Sequence, residues 1–319
     1  MEPFPAASEN QNYVTAHALS AGFLTYPEHY LVQPGAKGAR NTVPSLAFLI
    51  EHRSPKTGKL TRIVFDLGIR KNIKTYPEAL KMAIATQLSV TTEPDVSDSL
   101  AQGRLTPDDI DYVILSHVHW DHVGTPSDFR TSRFVVGKGS LEVLASAGNP
   151  PPADSTSFFE ADLLPLERTI ELPSVSEGVV ESTKNGKGGL FSRVMWHKSG
   201  PLANVIDIFS DGSVYIVDSP GHLDGHLNLL ARLAPGKLLY LAGDACHDRR
   251  IMRKELDIAT WKNMHGDICC IHANKETTEK TIELIVELEK LDGMEVVLAH
   301  DREWLDKEKN KKRFWPSKL

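Results

Sequence analysis

Three histidines and an aspartate fall within six residues in the stretch "SHVHWDH": His117, His119, Asp121 and His122. Imidazole and carboxylate are the donors from which a protein builds a catalytic site for a divalent cation, with one position left open for water. The stretch follows the apolar run "YVILS" (112–116), which reads as a strand. If that strand continues, alternation puts His117 and His119 on one face. Asp121 and His122 then follow in a turn and can aim at a second nearby metal. An unpaired cluster of this density would be costly to bury, so a metal is the economical reading.

Three further donors repeat the arrangement. His222 follows the strand-like "VYIVD" and a Pro-Gly turn. Asp244 follows "KLLYLAG", and His300 follows "EVVLA". Each sits just past the C-terminal end of a strand, where loops gather reactive groups on a rigid base.

The elements that must carry these donors are short and frequent. Runs at 45–51, 61–66, 112–116, 133–137, 204–209, 214–218, 227–233, 237–243 and 295–299 are aliphatic or β-branched and are bounded by turn formers. "SDGS" (210–213) predicts a hairpin turn. Helices are expected over 76–88 and 275–293. In the second, Ile282, Ile285, Leu288 and Leu291 recur near the helical period, with Asn274 to cap the start and Gly293 to end it. Strands with interspersed helices imply α/β or α+β layers. Residues 149–200 carry "NPPPADSTS" and "ESTKNGKGG" and read as a loop excursion from one domain.

Composition narrows the partners. The 319 residues are 41% hydrophobic and 24% charged, ordinary for a globular fold. A net charge of −6 without a basic stripe argues against nucleic acid. No apolar stretch is long enough to span a membrane, and no secretory leader is expected at the N-terminus. Three cysteines do not make a disulfide framework, so an intracellular setting is expected. Ser317, Lys318 and Leu319 form a terminal tripeptide of the peroxisomal-address type, otherwise the setting is cytoplasmic. The oligomeric state is left open, a homodimer included.

The pattern His117-x-His119-x-Asp121-His122, then His222, Asp244 and His300, together with "VDSPGH", "AGDA" and "LAHD", resembles the metallo-β-lactamase superfamily, and within it the dinuclear zinc lactonases of the quorum-quenching kind. The resemblance implies an α+β fold: an αββα sandwich with two zinc ions at one edge between two mixed β-sheets. It spans 43–303, between an N-terminal extension (1–42) that packs on the domain and a C-terminal tail (304–319). It assigns His117, His119 and His222 to one zinc, Asp121, His122 and His300 to the other, and Asp244 to both.

The implied activity is hydrolysis of a lactone or lactam ring in a small molecule. A hydroxide shared by the two zinc ions attacks the carbonyl, and Asp121 orients it and shuttles a proton. Asp66 is expected to hold a ligand histidine from outside. One departure stands out: the lactonases carry a tyrosine three residues after the bridging aspartate, where this chain has His247. An imidazole there can donate a similar hydrogen bond. The flat indole of Trp120 suits an aromatic or bicyclic substrate, and Trp196 and His197 are candidates to close over it.

His226, Cys246 and the stretch "HGDICCIH" (265–272) are read as structural. A thioesterase acting on acyl-CoA or glutathione thioesters is the alternative within the superfamily, and an iron persulfide dioxygenase a further one.

Overall fold

The computed structural model describes residues 4–36, 38–147, 158–177, 179–181, 189–263 and 265–317. Its frame is two mixed sheets laid face to face. The first has seven strands, in the order Ser89–Thr91, Thr15–Pro27, Arg40–Arg53, Leu60–Phe65, Tyr112–Ile114, Arg133–Val136 and Thr169–Glu171. Its first four strands pair antiparallel and the remainder parallel. The second has six, in the order His197–Ser199, Leu202–Asp207, Val214–Asp218, Leu227–Ala234, Lys237–Leu241 and Met294–Val297; only the last pair is parallel.

Strand alternation explains the layers. Leu46, Phe48, Ile50, Ile63 and Phe65 of the first sheet meet Val214, Ile216, Leu229, Leu239 and Leu241 of the second in one apolar cluster between the sheets. The intervening residues face outward and are buried as well. Ala47, Leu49 and Val64 lie under the helix Val96–Gln102 through Val96 and Leu100. Tyr215, Val217, Leu230 and Tyr240 lie under the helix Lys275–Glu289 through Ile282, Ile285 and Leu288. Because both faces of each sheet are covered, the strands read as continuous apolar runs rather than alternating ones. The result is an αββα sandwich, as expected.

Several local expectations need correction. The strand before the donor-rich stretch stops at Ile114, so His117 and His119 stand in a loop and their direction is not set by strand alternation. The long helix closes at Glu289, ahead of Gly293, whose carbonyl instead accepts from Leu238 N across the sheet. Residues 1–42 are more than an extension packed on the domain: Thr15–Pro27 is a full strand of the first sheet, with a register shift between Ser20 and Phe23. Residues 304–319 are likewise integral as far as they are described. Trp304 is 1% exposed, and Ala18 exchanges backbone hydrogen bonds with Arg313 and Trp315. Lys318 and Leu319, and residues 149–157, 178 and 182–188 of the 149–200 excursion, lie outside the described residues.

Candidate metal centre

Five strands end at one edge of the sandwich, and the residues just beyond them meet there. Phe65 leads to Asp66, Ile114 to the 117–122 loop, Asp218 to His222, Leu241 to Asp244 and Val297 to His300. Backbone hydrogen bonds lace these loops together across the two sheets. Leu227 N donates to Ser116 O at 2.7 Å, Ala299 N to Gly243 O at 2.9 Å, and Leu67 N to His122 O at 2.8 Å. Gly243 is required at its position. Its φ is +49°, and a Cβ there would stand 2.9 Å from both His226 Nε2 and Ser116 Cβ.

The seven donors named from the sequence converge and are all buried. His117, His119, His222 and Asp244 form one group able to hold a cation, and Asp121, His122 and His300 another. In the first, His117 Nε2 lies 2.9 Å from His119 Nδ1, and His222 Nε2 lies 3.2 and 3.0 Å from those two atoms. The carboxylate of Asp244 reaches both groups. Its Oδ2 is 3.3 Å from His122 Nε2 and 3.7–3.8 Å from His222 and His117 Nε2, and its Oδ1 is 3.3 Å from His300 Nε2.

Charge divides the two groups. Burial pushes His117 and His222 well below the ordinary imidazole range, helped by the neighbouring rings. Burial likewise brings His119 down to about 4. Burial opposes charge on His122 and His300 too, but the carboxylates outweigh it. Asp244 and Asp66 raise His122 well above its ordinary value, and Asp244 and Asp121 raise His300 to about 10. Asp244 is itself held well below the ordinary carboxylate range against burial, by His300, His122 and His247.

The donor set fits divalent cations. Three neutral ring nitrogens packed about 3 Å apart present lone pairs to one another, which protons alone satisfy poorly and a cation satisfies fully. Among the described residues, His122 Nε2 and Asp244 Oδ1 are buried with no hydrogen-bond partner. Such orphaned atoms are rare unless an ion completes them.

Around the donors stands a supporting layer. Asp66 Oδ2 accepts from His122 Nδ1 at 2.9 Å and from Ser116 Oγ at 2.7 Å, while its Oδ1 accepts from Ser116 N at 2.6 Å. His300 Nδ1 donates to Pro44 O at 2.8 Å. The loop bearing Trp120 rests on Tyr76, whose hydroxyl donates to Trp120 O at 3.1 Å and whose ring meets the indole edge-on. His226 sits behind the site: its Nε2 accepts from Asp244 N at 3.1 Å, and its Nδ1 donates to Ser219 O. Burial pushes the Cys246 thiol up to about 12, and its Sγ donates to Asp248 O, as befits a core residue.

A cavity opens onto the donors. Leu24, Tyr26, Tyr30, Leu31, Leu88 and Ile271 wall it, and His119, Trp120, Asp121, Asp244, His247 and His300 complete its lining. No Lys or Arg is among these residues. Trp196 and His197, candidates to close over the site, do not line it. Trp196 Nε1 donates to Pro173 O at 2.9 Å, and its ring packs against the cluster between the sheets. His197 lies opposite Val205 in the edge strand of the second sheet. One residue went unrecognised: His272, at the end of "HGDICCIH", is buried 3.1 Å from His222 and 3.3 Å from His247. His265, in the same stretch, is exposed.

Comparison with known proteins agrees with this geometry. The family model described as "Metallo-beta-lactamase superfamily" matches residues 41–300. The chain is 30% identical over 226 residues to gamma-lactamase FDB1 of Fusarium pseudograminearum, covering 69% of this chain and 50% of that protein. It is 29% identical over 299 residues to cytochrome P450 monooxygenase mpaDE' of Penicillium brevicompactum, covering 87% of this chain and 31% of that protein. The chain thus spans half or less of the length of these relatives. Among solved structures, AiiA of B. thuringiensis with N-decanoyl-L-homoserine at its active site superposes with a TM-score of 0.63 at 17% identity, over 97% of this chain and 100% of that one.

Proposed function

The chain belongs to the metallo-β-lactamase superfamily, and from that premise we propose that it is a zinc hydrolase that opens the lactone or lactam ring of a small, neutral, largely apolar molecule. The observation that carries this reading is the carboxylate of Asp244, poised between two donor groups at the floor of an apolar cavity.

In this reading His117, His119 and His222 would hold one zinc, Asp121, His122 and His300 the other, and Asp244 both. When bound, a zinc pair supplies Lewis acidity that readies a water for attack and polarises a carbonyl. The chain's own groups do the rest. The apolar walls exclude bulk water and hold the ring against the floor. Asp121, 3.4 Å from His300 Nε2, is placed to orient the attacking water and carry its proton. His247 faces the same cavity, its Nε2 3.1 Å from Asp244 Oδ2. There its Nε2–H, shared with Asp244, can turn toward oxygen on the reacting ring. Trp120 offers a flat surface to an aromatic or bicyclic substrate. Relatives named gamma-lactamase and N-acyl homoserine lactonase support the ring-opening class.

The described lining favours this reading over a thioesterase for acyl-CoA or glutathione esters, because those charged thiols call for cations and the described residues of this cavity include no Lys or Arg. The test is a screen of lactones, lactams and thioesters with purified protein, alongside metal analysis and an Asp121→Ala control. We expect about two zinc per chain, ring opening abolished by a chelator and restored by zinc, and an inert control. Turnover of thioesters with lactones and lactams silent would overturn the proposal, as would a single bound iron.

A further inference from the structure

Four polar groups run in series behind the cavity. Asp244 Oδ2 is 3.1 Å from His247 Nε2. His247 Nδ1 is 3.3 Å from His272 Nε2, and His272 Nδ1 is 3.1 Å from His222 Nδ1. The partners are 25 and 50 residues apart in sequence. His222, His247 and His272 also qualify by proximity as a group that could hold a metal. The contact pattern argues otherwise. A ring gives a metal one nitrogen, whereas His272 spends one nitrogen on each neighbour, as a hydrogen-bonded link does.

In such a chain of neutral rings, the protons are set from one end. An ionised carboxylate only accepts, so His247 Nε2 donates to Asp244. A neutral ring with its proton on Nε2 accepts at Nδ1, so His272 Nε2 donates to His247. His272 Nδ1 then accepts, and His222 Nδ1 donates to it. The proton of His222 is thereby placed on Nδ1, and its Nε2 is left bare toward His117 and His119, as a metal ligand needs.

We propose that His272 is a positioning residue: its ring ties His222 to His247, and so fixes at once the bare Nε2 that a metal needs on His222 and the Nε2–H that His247 gives to Asp244. This rests on the hydrolase reading for its consequence, though not for its geometry.

The test begins with the native zinc-loaded chain labelled with ¹⁵N. Long-range proton–nitrogen spectra of the histidine rings, assigned with His247→Gln and His272→Gln, should show His247 and His272 protonated on Nε2 and His222 on Nδ1. A proton on Nδ1 of His247, or zinc bound among these three rings beyond the main centre, would overturn the proposal. Kinetics at saturating zinc supply the second readout. His272→Leu should lower kcat about tenfold with KM nearly unchanged, and the same substitution in a His247→Phe background should add little further loss. Losses that simply multiply would mean that His272 acts through His222 alone and would overturn the link. If no ring is hydrolysed at all, the functional reading fails, while the spectra still decide the link on their own.

Discussion

Asp66 and His122 are 56 residues apart in sequence, yet Asp66 Oδ2 accepts a hydrogen bond from His122 Nδ1 at 2.9 Å. That contact turns His122 Nε2, an atom with no hydrogen-bond partner among the described residues, toward Asp244. A carboxylate behind a ligand imidazole fixes its tautomer and raises its basicity. Asp66 achieves this from an uncommon backbone, with φ at +62°, held by the Asp66 N to Ile114 O hydrogen bond.

Asp66→Ala should therefore weaken zinc binding by about 10- to 100-fold. The check is competition against a chromogenic chelator. An unchanged affinity would mean that His122 needs no such support.

Tyr76 links three parts of the site floor. Its hydroxyl donates to Trp120 O, accepts from Arg70 N at 2.7 Å, and its ring lies 4.5 Å from the Arg70 guanidinium. Tyr76→Phe leaves buried backbone groups without a partner. The expected cost is about 1–3 kcal/mol, read from the urea midpoint of zinc-loaded protein. A midpoint equal to the parent's would refute the linkage.

Trp304 is buried between the strand Arg40–Arg53, through Phe48, and Phe314, and its Nε1 donates to Glu295 Oε1 at 3.0 Å. Trp304→Ala should cost about 3–5 kcal/mol. Calorimetric or denaturant unfolding will show this, and a loss below about 1 kcal/mol would make this segment a tail with little part in the core.

His17 gives a pH signature far from the metal centre. Its ring is buried, Nδ1 donates to Ser317 O at 2.7 Å, and Glu51 stands 4.0 Å from Nε2, itself paired with Arg62. Burial dominates and lowers its value below the ordinary imidazole 6.5. A folded-state value below the unfolded one means the unfolded chain binds the proton more readily. Its contribution is then fully present above about pH 6.5 and is lost as pH falls from there through the lowered folded value. Relative to the parent, His17→Gln should flatten the fall in stability between about pH 7 and 5. Parallel denaturation curves across that range for both proteins would dismiss the assignment.

Much of the site was legible in the order of residues. His117, His119, Asp121 and His122 crowd one loop, so their spacing alone announces shared work. His222, Asp244 and His300 each follow an aliphatic run, and a residue just past a strand end is held near the sheet's edge by the strand itself. The two-sided burial of the strands was legible too, as runs apolar at every position. The strand Thr15–Pro27 was harder to see. Half of its buried positions are small (Ala16, Ala18, Ala21 and Gly22), and the register shift between Ser20 and Phe23 breaks its period of two.

What only the tertiary structure decided is which loops touch. His222, His247 and His272 follow no common spacing and no shared period, and nothing local to "HGDICCIH" marks its last residue. They meet because the closing of two sheets over one core brings three unrelated loops to the same edge. By the same closing, His197 was carried to the edge strand of the second sheet and Trp196 to the position just before it, away from the donors. Donor chemistry is local and can be read along the chain; the partner that sets a tautomer is chosen by packing, which no spacing records.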